Sequence, residues 1–186
     1  MKRLLDLLMS VFLLILMSLP MLIIGLAVRL TSKGPALYWS DRVGRKNKIF
    51  KMPKFRTMRV GSPAVATHLF KDPNSYITPM GQFLRKFSLD ELPQLLSVIS
   101  GDMSFVGPRP ALFNQHDLIK LRTDKKIHEL AAGVTGWAQV NGRDNLPVAA
   151  KVELDEFYLK NRSMLLDIRI LFMTIIKAAK GEGVQH

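Results

Sequence analysis

The sequence predicts an α+β protein, mostly helical, in which an N-terminal re-entrant membrane helix carries a small domain with one short β element. Three features predict it. Residues 7–28 are 22 consecutive positions without a charge. The formal net charge of +12 is concentrated just after them: residues 29–86 hold 13 Lys or Arg against two acids, whereas residues 87–186 balance at 12 of each. Beyond residue 80 the apolar residues recur mainly at helical spacing. With 186 residues, one domain beyond the membrane segment is expected. The boundaries are residues 1–30 for the membrane-embedded helix, broken at Pro20, and 31–186 for the domain outside the hydrocarbon.

A run of 22 residues at ~1.5 Å per residue reaches roughly 33 Å, enough for a hydrocarbon core of ~30 Å. A cleavable leader would have a shorter apolar region followed by small residues, and here a basic stretch follows instead. Pro20 divides the run into arms of roughly 20 Å and 12 Å, neither of which spans alone. Ser18 or a water can satisfy the carbonyls the break frees, so the segment can return to the side it entered. Basic residues on both flanks (Lys2 and Arg3; Arg29 and Lys33) agree with both ends in the cytoplasm, although a simple span also satisfies the charge rule. A core helix is disfavoured, because core helices of small domains keep a polar face.

Ala36–Trp39 and Ile49–Phe55 read as short strands across the turn-rich segment 42–48. Residues 60–80 read as a loop. The pattern from Gln82 to Ile99 is helical, with a break near Ser88 and a new helix placing Asp90 at or near its N-cap, because Pro93 is tolerated only early in a helix. Met103–Pro110 is too rich in Gly and Pro for a helix. A helix is expected from Asn114 to about Leu130, a loop over 133–147, and helices over Val148–Lys160 and Met164–Lys180. The last presents Leu165, Ile168, Phe172, Ile175 and Ala179 on one face, read as core-facing in preference to a membrane surface.

The chain has no cysteine, which removes disulfide frameworks, thiolate zinc sites and cysteine nucleophiles. No dinucleotide or P-loop glycine motif occurs, and the four histidines lack metal-ligand spacing. Chemistry points instead to Asp90-Glu91. At a helix start, where N–H groups are free, two adjacent carboxylates can flank one ion. One or two carboxylates with substrate phosphates is the usual way to hold Mg²⁺, and a carboxylate can also attack phosphorus. A capping box, Ser88-x-x-Glu91, is the structural alternative. Arg109 stands between Pro108 and Pro110, whose restricted backbone lowers the entropy lost on gripping an anion. Lys54-Phe55-Arg56 and Asn141-Gly142-Arg143 suit phosphate or nucleotide in the same way, and a solvated basic face is the alternative for each.

Taken together, KFRTM (Lys54 to Met58), SLDELPQL (Ser88 to Leu95), GDMSFVGPRP (Gly101 to Pro110) and GVTGWAQVNGR (Gly133 to Arg143) resemble the monotopic phosphoglycosyl transferases, bacterial sugar transferases that start glycoconjugates on a polyprenyl carrier. The resemblance runs from Lys2-Arg3-Leu4-Leu5-Asp6 to the final helix, and the length is similar to the family's minimal form. It implies a ping-pong reaction at the cytoplasmic face of the bacterial inner membrane: Asp90 attacks the β-phosphate of a UDP-sugar, UMP leaves, and polyprenyl (undecaprenyl) phosphate takes the phospho-sugar. It further implies that Glu91, with Asp90, holds Mg²⁺, that Arg85, Arg109 and Arg143 bind phosphate or organise the site, and that Pro108 and Pro110 complete a Pro-Arg-Pro motif. The family's helix is re-entrant at a Ser-Pro pair, whereas here Leu19 separates Ser18 from Pro20.

Independently, a +11 block beside an anchor suits anionic substrates at an anionic membrane. Two competing readings remain open. One is a noncatalytic anchored protein whose basic face binds anionic lipid or nucleic acid; no RNA- or DNA-binding signature favours nucleic acid, and it is not an expected partner. The other is an anchored phosphohydrolase that needs no polyprenyl phosphate.

Overall fold

A computed structural model of the protein describes residues 2–63, 75–142 and 146–180. It is a mostly helical α+β fold with short sheets. Helices α1 (Lys2–Leu16) and α2 (Ser18–Thr31) meet at 62°. No single helix among the described residues is long and apolar enough to cross a membrane, whereas this bent pair is so when taken together. The break falls at Met17, not at Pro20. Proline has no N–H for the Leu16 carbonyl, and its ring collides with a carbonyl four residues back. Continuous helix therefore stops at Leu16, and Pro20 occupies the first turn of α2, where its missing N–H costs nothing. Ser18 Oγ donates to the Ile15 carbonyl at 2.8 Å, satisfying one group freed by the break.

The packing of α1 inverts that of a core helix. It buries Asp6 and Ser10 and leaves Leu4, Leu8, Phe12 and Ile15 60–70% exposed. Its first turns are tied to the domain by polar contacts. Lys2 Nζ donates to Val106 O (2.9 Å), Tyr158 OH (2.9 Å) and Asp167 Oδ2 (2.6 Å). Arg3 donates to the Val98 and Ile99 carbonyls, which lie at the C-terminal end of α4 (Leu95–Ser100), where a cation meets unpaired carbonyls. Asp6 accepts from Ser104 Oγ (2.8 Å) and Phe105 N (3.3 Å).

Strand β1 (Leu37–Val43) pairs antiparallel with β2 (Ile49–Phe55), and β4 (Ala111–Leu112) lies on the other edge of β1. A second, parallel pair joins β3 (Met103–Val106) to β5 (Ala132–Thr135). Sequence patterning missed β3, β4 and β5. All four residues of β3 are buried, so it shows none of the alternation that marks a half-exposed strand. Helix α3 (Pro79–Lys86) begins earlier than expected, and a 3-10 segment (Leu89–Gln94) precedes α4. The helix expected over 114–130 is instead α5 (His116–Asp124), a left-handed Lys126 and a 3-10 turn (Ile127–Glu129). The expected loop over 133–147 contains the end of β5 and a short α6 (Trp137–Asn141). Of the loop 60–80, residues 64–74 lie outside the described residues, and Met58 bridges Ile77 antiparallel.

Helices α7 (Val148–Asn161) and α8 (Met164–Lys180) close the chain. The main core packs Met52, Val98, Met103, Val106, Ile127, Val152 and Ile170 together. Val28, Phe55 and Leu84 form a second cluster against which Leu89 and Leu92 pack, joining α2 to the segment that carries Asp90. The core-facing reading of α8 is corrected. Leu165, Ile168, Phe172 and Ile175 are 58–78% exposed, whereas Asp167 and Ile170 are buried. The helix carries apolar residues on two sides, and the bonds Asp167 makes to Lys2 and Tyr158 (2.6 Å each) turn the other one inward.

Candidate active site

The site is assembled where β2 leaves the sheet. Just past β2, Thr57 O accepts from Thr78 N at 2.9 Å, and Thr78 Oγ1 accepts from Gly81 N at 3.0 Å, capping α3. A Cβ on Gly81 would stand 2.1 Å from Thr57 O, so only glycine allows this approach. One turn on, Arg85 Nε donates to Thr57 Oγ1 at 3.0 Å. Ser88 then takes a left-handed conformation (φ 55) and redirects the chain into the 3-10 segment. Ser88 makes no side-chain cap, so the capping box is not formed. The 3-10 geometry also accommodates Pro93, which an α-helix beginning at residue 89 would strain.

Glu91 turns to two cations instead. Lys54 Nζ lies 2.7 Å and Arg109 Nη2 2.9 Å from Glu91 Oε1. Lys54 Nζ is 4.0 Å from Asp90 Oδ2, an ion pair too long for a hydrogen bond. The Asp90, Glu91 and Lys54 side chains are all largely buried. Burial pushes the Asp90 carboxyl up, and Glu91 adds to this; Lys54, Arg85 and Arg109 pull it back without cancelling the rise. Burial pushes Lys54 down, against the two carboxylates. Burial also works to raise Glu91, but Arg109 and Lys54 hold it well below the usual carboxylate range. Glu91 is thus a fixed anion, and Asp90 a more basic carboxylate than its neighbour.

Arg109 is presented by a segment whose carbonyls are all held. Pro108 O accepts from Gly133 N (2.9 Å), Arg109 O from Arg122 Nη1 (2.7 Å) and Pro110 O from Arg42 Nη1 (3.2 Å). Prolines offer no N–H, so a Pro-Arg-Pro strap is fixed mainly through its carbonyls. Arg122 is held in turn by Asp155, with Nε and Nη2 3.0 and 2.6 Å from Oδ2.

The structure thus brings together Lys54, Arg85, Asp90, Glu91 and Arg109, with Pro108 and Pro110 flanking the last. It does not bring Arg56 in. The Arg56 guanidinium donates to Pro35 O (2.9 Å) and lies over the Tyr38 ring. Asn141 Nδ2 is exposed and donates to Trp137 O (2.7 Å). Arg143 lies outside the described residues. Sequence reasoning missed Arg42, Thr57 and the Arg122–Asp155 pair, whose members are distant in sequence from the motifs they support. It also missed Gln94 and Gln139, buried amides with unpartnered atoms.

Among the described residues no three acidic or histidine side chains cluster as a metal cage. Asp90 and Glu91 nonetheless supply the hard carboxylate oxygens that Mg²⁺ takes when substrate phosphates complete its shell. Lys54 and Arg109 grip Glu91 Oε1 in this structure, so an ion at that oxygen would have to displace one of them.

A family model described as bacterial sugar transferase matches residues 1–181. The chain is 41% identical over 187 residues to an uncharacterized sugar transferase of Bacillus subtilis (strain 168), covering 100% of this chain and 90% of that one. It is 38% identical over 185 residues to the UDP-glucose:undecaprenyl-phosphate glucose-1-phosphate transferase of Escherichia coli (strain K12), covering 95% of this chain and 39% of that one. A third relative, the UDP-N-acetylgalactosamine-undecaprenyl-phosphate N-acetylgalactosaminephosphotransferase of Aeromonas hydrophila, is 35% identical over 193 residues, or 99% of this chain and 45% of that protein. This chain therefore spans less than half the length of the latter two. With a match that runs from the first residue of α1 through the last turn of α8, the protein belongs to the bacterial sugar transferase family.

Proposed function

We propose that the protein transfers a sugar-1-phosphate from a UDP-sugar to polyprenyl (undecaprenyl) phosphate, releasing UMP, as the first membrane step of a glycoconjugate. The observation that carries this is a buried, basic carboxylate, Asp90, set among Lys54, Arg85 and Arg109 in a chain whose N-terminal helices present an apolar exterior. The names of the relatives supply the reaction class. An Asp90 oxygen attacks the β-phosphorus and forms an acyl-phosphate bond. The bond from that phosphorus to the bridging oxygen breaks, and UMP departs with its electron pair. A phosphate oxygen of the polyprenyl carrier then attacks the same phosphorus, and the Asp90 carboxylate leaves. Phosphoryl transfer is mainly positioning and charge neutralisation, for which Arg109, Arg85 and Lys54 are the chain's own groups. Mg²⁺ held by Asp90 and Glu91 would supply further neutralisation of the diphosphate.

In this reading α1 and α2 form a re-entrant pair in the bacterial inner membrane, with the domain on the cytoplasmic face. Family membership does not favour the noncatalytic lipid- or nucleic-acid-binding alternative. The test is UMP release from a panel of UDP-sugars with Mg²⁺ and polyprenyl phosphate, wild type beside Asp90→Asn. One donor should yield UMP, and the variant should lose both turnover and a phospho-sugar adduct detectable by mass spectrometry. Near-normal turnover by Asp90→Asn would refute the nucleophile assignment, and UMP or sugar phosphate formed equally well without the carrier would favour a hydrolase.

A further inference from the structure

Arg29 and Arg56 stand outside the Asp90 cluster, yet the turn between α2 and β1 holds them side by side. Arg29, in the last turn of α2, donates to Gly34 O at 3.2 Å, and Arg56 Nε donates to the next carbonyl, Pro35 O, at 2.9 Å. The two carbonyls belong to successive residues, whose Cα atoms are ~3.8 Å apart. Gly34 is left-handed (φ 98), and a Cβ on it would stand 2.9 Å from Val60 Cγ2 and 3.6 Å from Arg56 Nε, so the turn and the approach of Arg56 both favour glycine. Carbonyls fix a guanidinium without neutralising it. Among the described residues neither arginine forms an ion pair with an acidic side chain, whereas Lys54 and Arg109 are both committed to Glu91. Two neighbouring cations repel, and an anion that takes both forks relieves the repulsion.

The surroundings of this pair show what the anion carries. Leu22, Leu26 and Leu30 form an i, i+4, i+8 stripe on α2 that is 55–85% exposed, and Arg29 adjoins its last residue. Helix α2 also rests on the site: Val28 packs with Phe55 of β2 and Leu84 of α3, and Leu89 and Leu92 of the segment carrying Asp90 join them. On the other side of the pair, the Arg56 guanidinium lies over the Tyr38 ring, 5.7 Å from its centroid. Tyr38 stands opposite Lys54 in the β1–β2 register, so the two side chains share one face of the sheet. Lys54 reaches Glu91 at 2.7 Å. An apolar stripe, two cations without an acid and the edge of the carboxylate dyad therefore follow one another.

We infer that Arg29 and Arg56 dock the phosphate of the polyprenyl acceptor on its way to Asp90, with the first part of its tail along Leu22, Leu26 and Leu30. This rests on the transfer reaction and the membrane-embedded α2 proposed above. The donor arrives from water, whereas the acceptor's tail stays in hydrocarbon, so its phosphate meets the protein at the interface where a membrane helix ends. A phosphate monoester carries nearly two negative charges at neutral pH. It makes fuller use of two guanidinium forks than the monoanionic diester of a phospholipid.

The test is steady-state kinetics of the full chain in phosphatidylcholine nanodiscs, with and without phosphatidylglycerol, for wild type, Arg29→Gln and Arg56→Gln. In a ping-pong reaction kcat/KM for each substrate reports its own half-reaction. Each variant should keep the wild-type kcat/KM for the UDP-sugar and lose about tenfold in kcat/KM for polyprenyl phosphate, the equivalent of one charge-assisted hydrogen bond, in both kinds of disc. An unchanged acceptor value in either variant overturns the inference and leaves the reaction standing, as does an equal fall for both substrates. A loss confined to discs containing phosphatidylglycerol assigns the pair to phospholipid headgroups and also overturns it. Absence of UMP release by wild type from every donor overturns the reaction itself, and the inference with it.

Discussion

Replacing Asp155 by leucine tests whether the Arg109 strap depends on a buried ion pair behind it. Asp155 is 2% and Arg122 11% exposed at the side chain, so the substitution strands a guanidinium away from water. Removing one member of such a pair costs about 3–5 kcal/mol, a fall in melting temperature of about 6–20 °C at roughly 2–4 °C per kcal/mol for a chain of this size. Burial pushes the Asp155 carboxyl above the usual carboxylate range in spite of Arg122, so the pair itself adds little net stability. The double variant Arg122→Met/Asp155→Leu, apolar at both positions, should therefore recover most of the loss. It should not recover activity, because replacing Arg122 removes the donor to Arg109 O and leaves the arginine less well positioned for phosphate. Intrinsic tryptophan fluorescence during thermal unfolding, beside UMP release at several donor concentrations, reads both effects. A single variant that melts within 2 °C of wild type would refute the reasoning, as would a double variant no more stable than the single.

Two further outcomes follow from charge and exposure. Glu91 has a folded pKa held below its unfolded value of ~4.3, so its stabilisation is complete above that value and is lost as pH falls through the folded one. Glu91→Gln should flatten this part of the acid-side slope of the melting temperature and severely reduce turnover; an unchanged slope would remove Glu91 from the linkage. Because the chain has no native cysteine, single labels are straightforward. A fluorophore at Phe172→Cys, on the exposed apolar face of α8, should be quenched by a lipid-soluble quencher in liposomes and protected from iodide, with the reverse at Glu153→Cys. Iodide quenching at Phe172→Cys as strong as at Glu153→Cys would show that this face does not rest on the bilayer.

The candidate site was legible in the sequence wherever local geometry carries it. The break at Ser88, the start of a new segment beside Asp90 and the rigid Pro-Arg-Pro strap all follow from residues within a few positions of one another. Arg56 shows where such reasoning stops. It is two residues from Lys54 and belongs to the same motif, yet Pro35 and Tyr38 hold it away, contacts with distant residues that no local pattern marks. Arg122 and Asp155 are 33 residues apart, and nothing local marks either as support for Arg109.

The sequence by itself determined that the chain has an apolar, proline-broken N-terminal segment, a basic block beside it and a paired-carboxylate motif among arginines. These are compositional and short-range properties, set by which residues adjoin. Only the tertiary structure decided that α1 packs its polar residues inward and that the break precedes Pro20 at Met17. It also decided that α8 turns Asp167 and Ile170 to the core and that β3 and β5 pair in parallel. Each of these outcomes depends on a partner far away in sequence. Periodicity shows that a helix has an apolar stripe, but when two stripes compete, the contacts available from the rest of the fold choose between them.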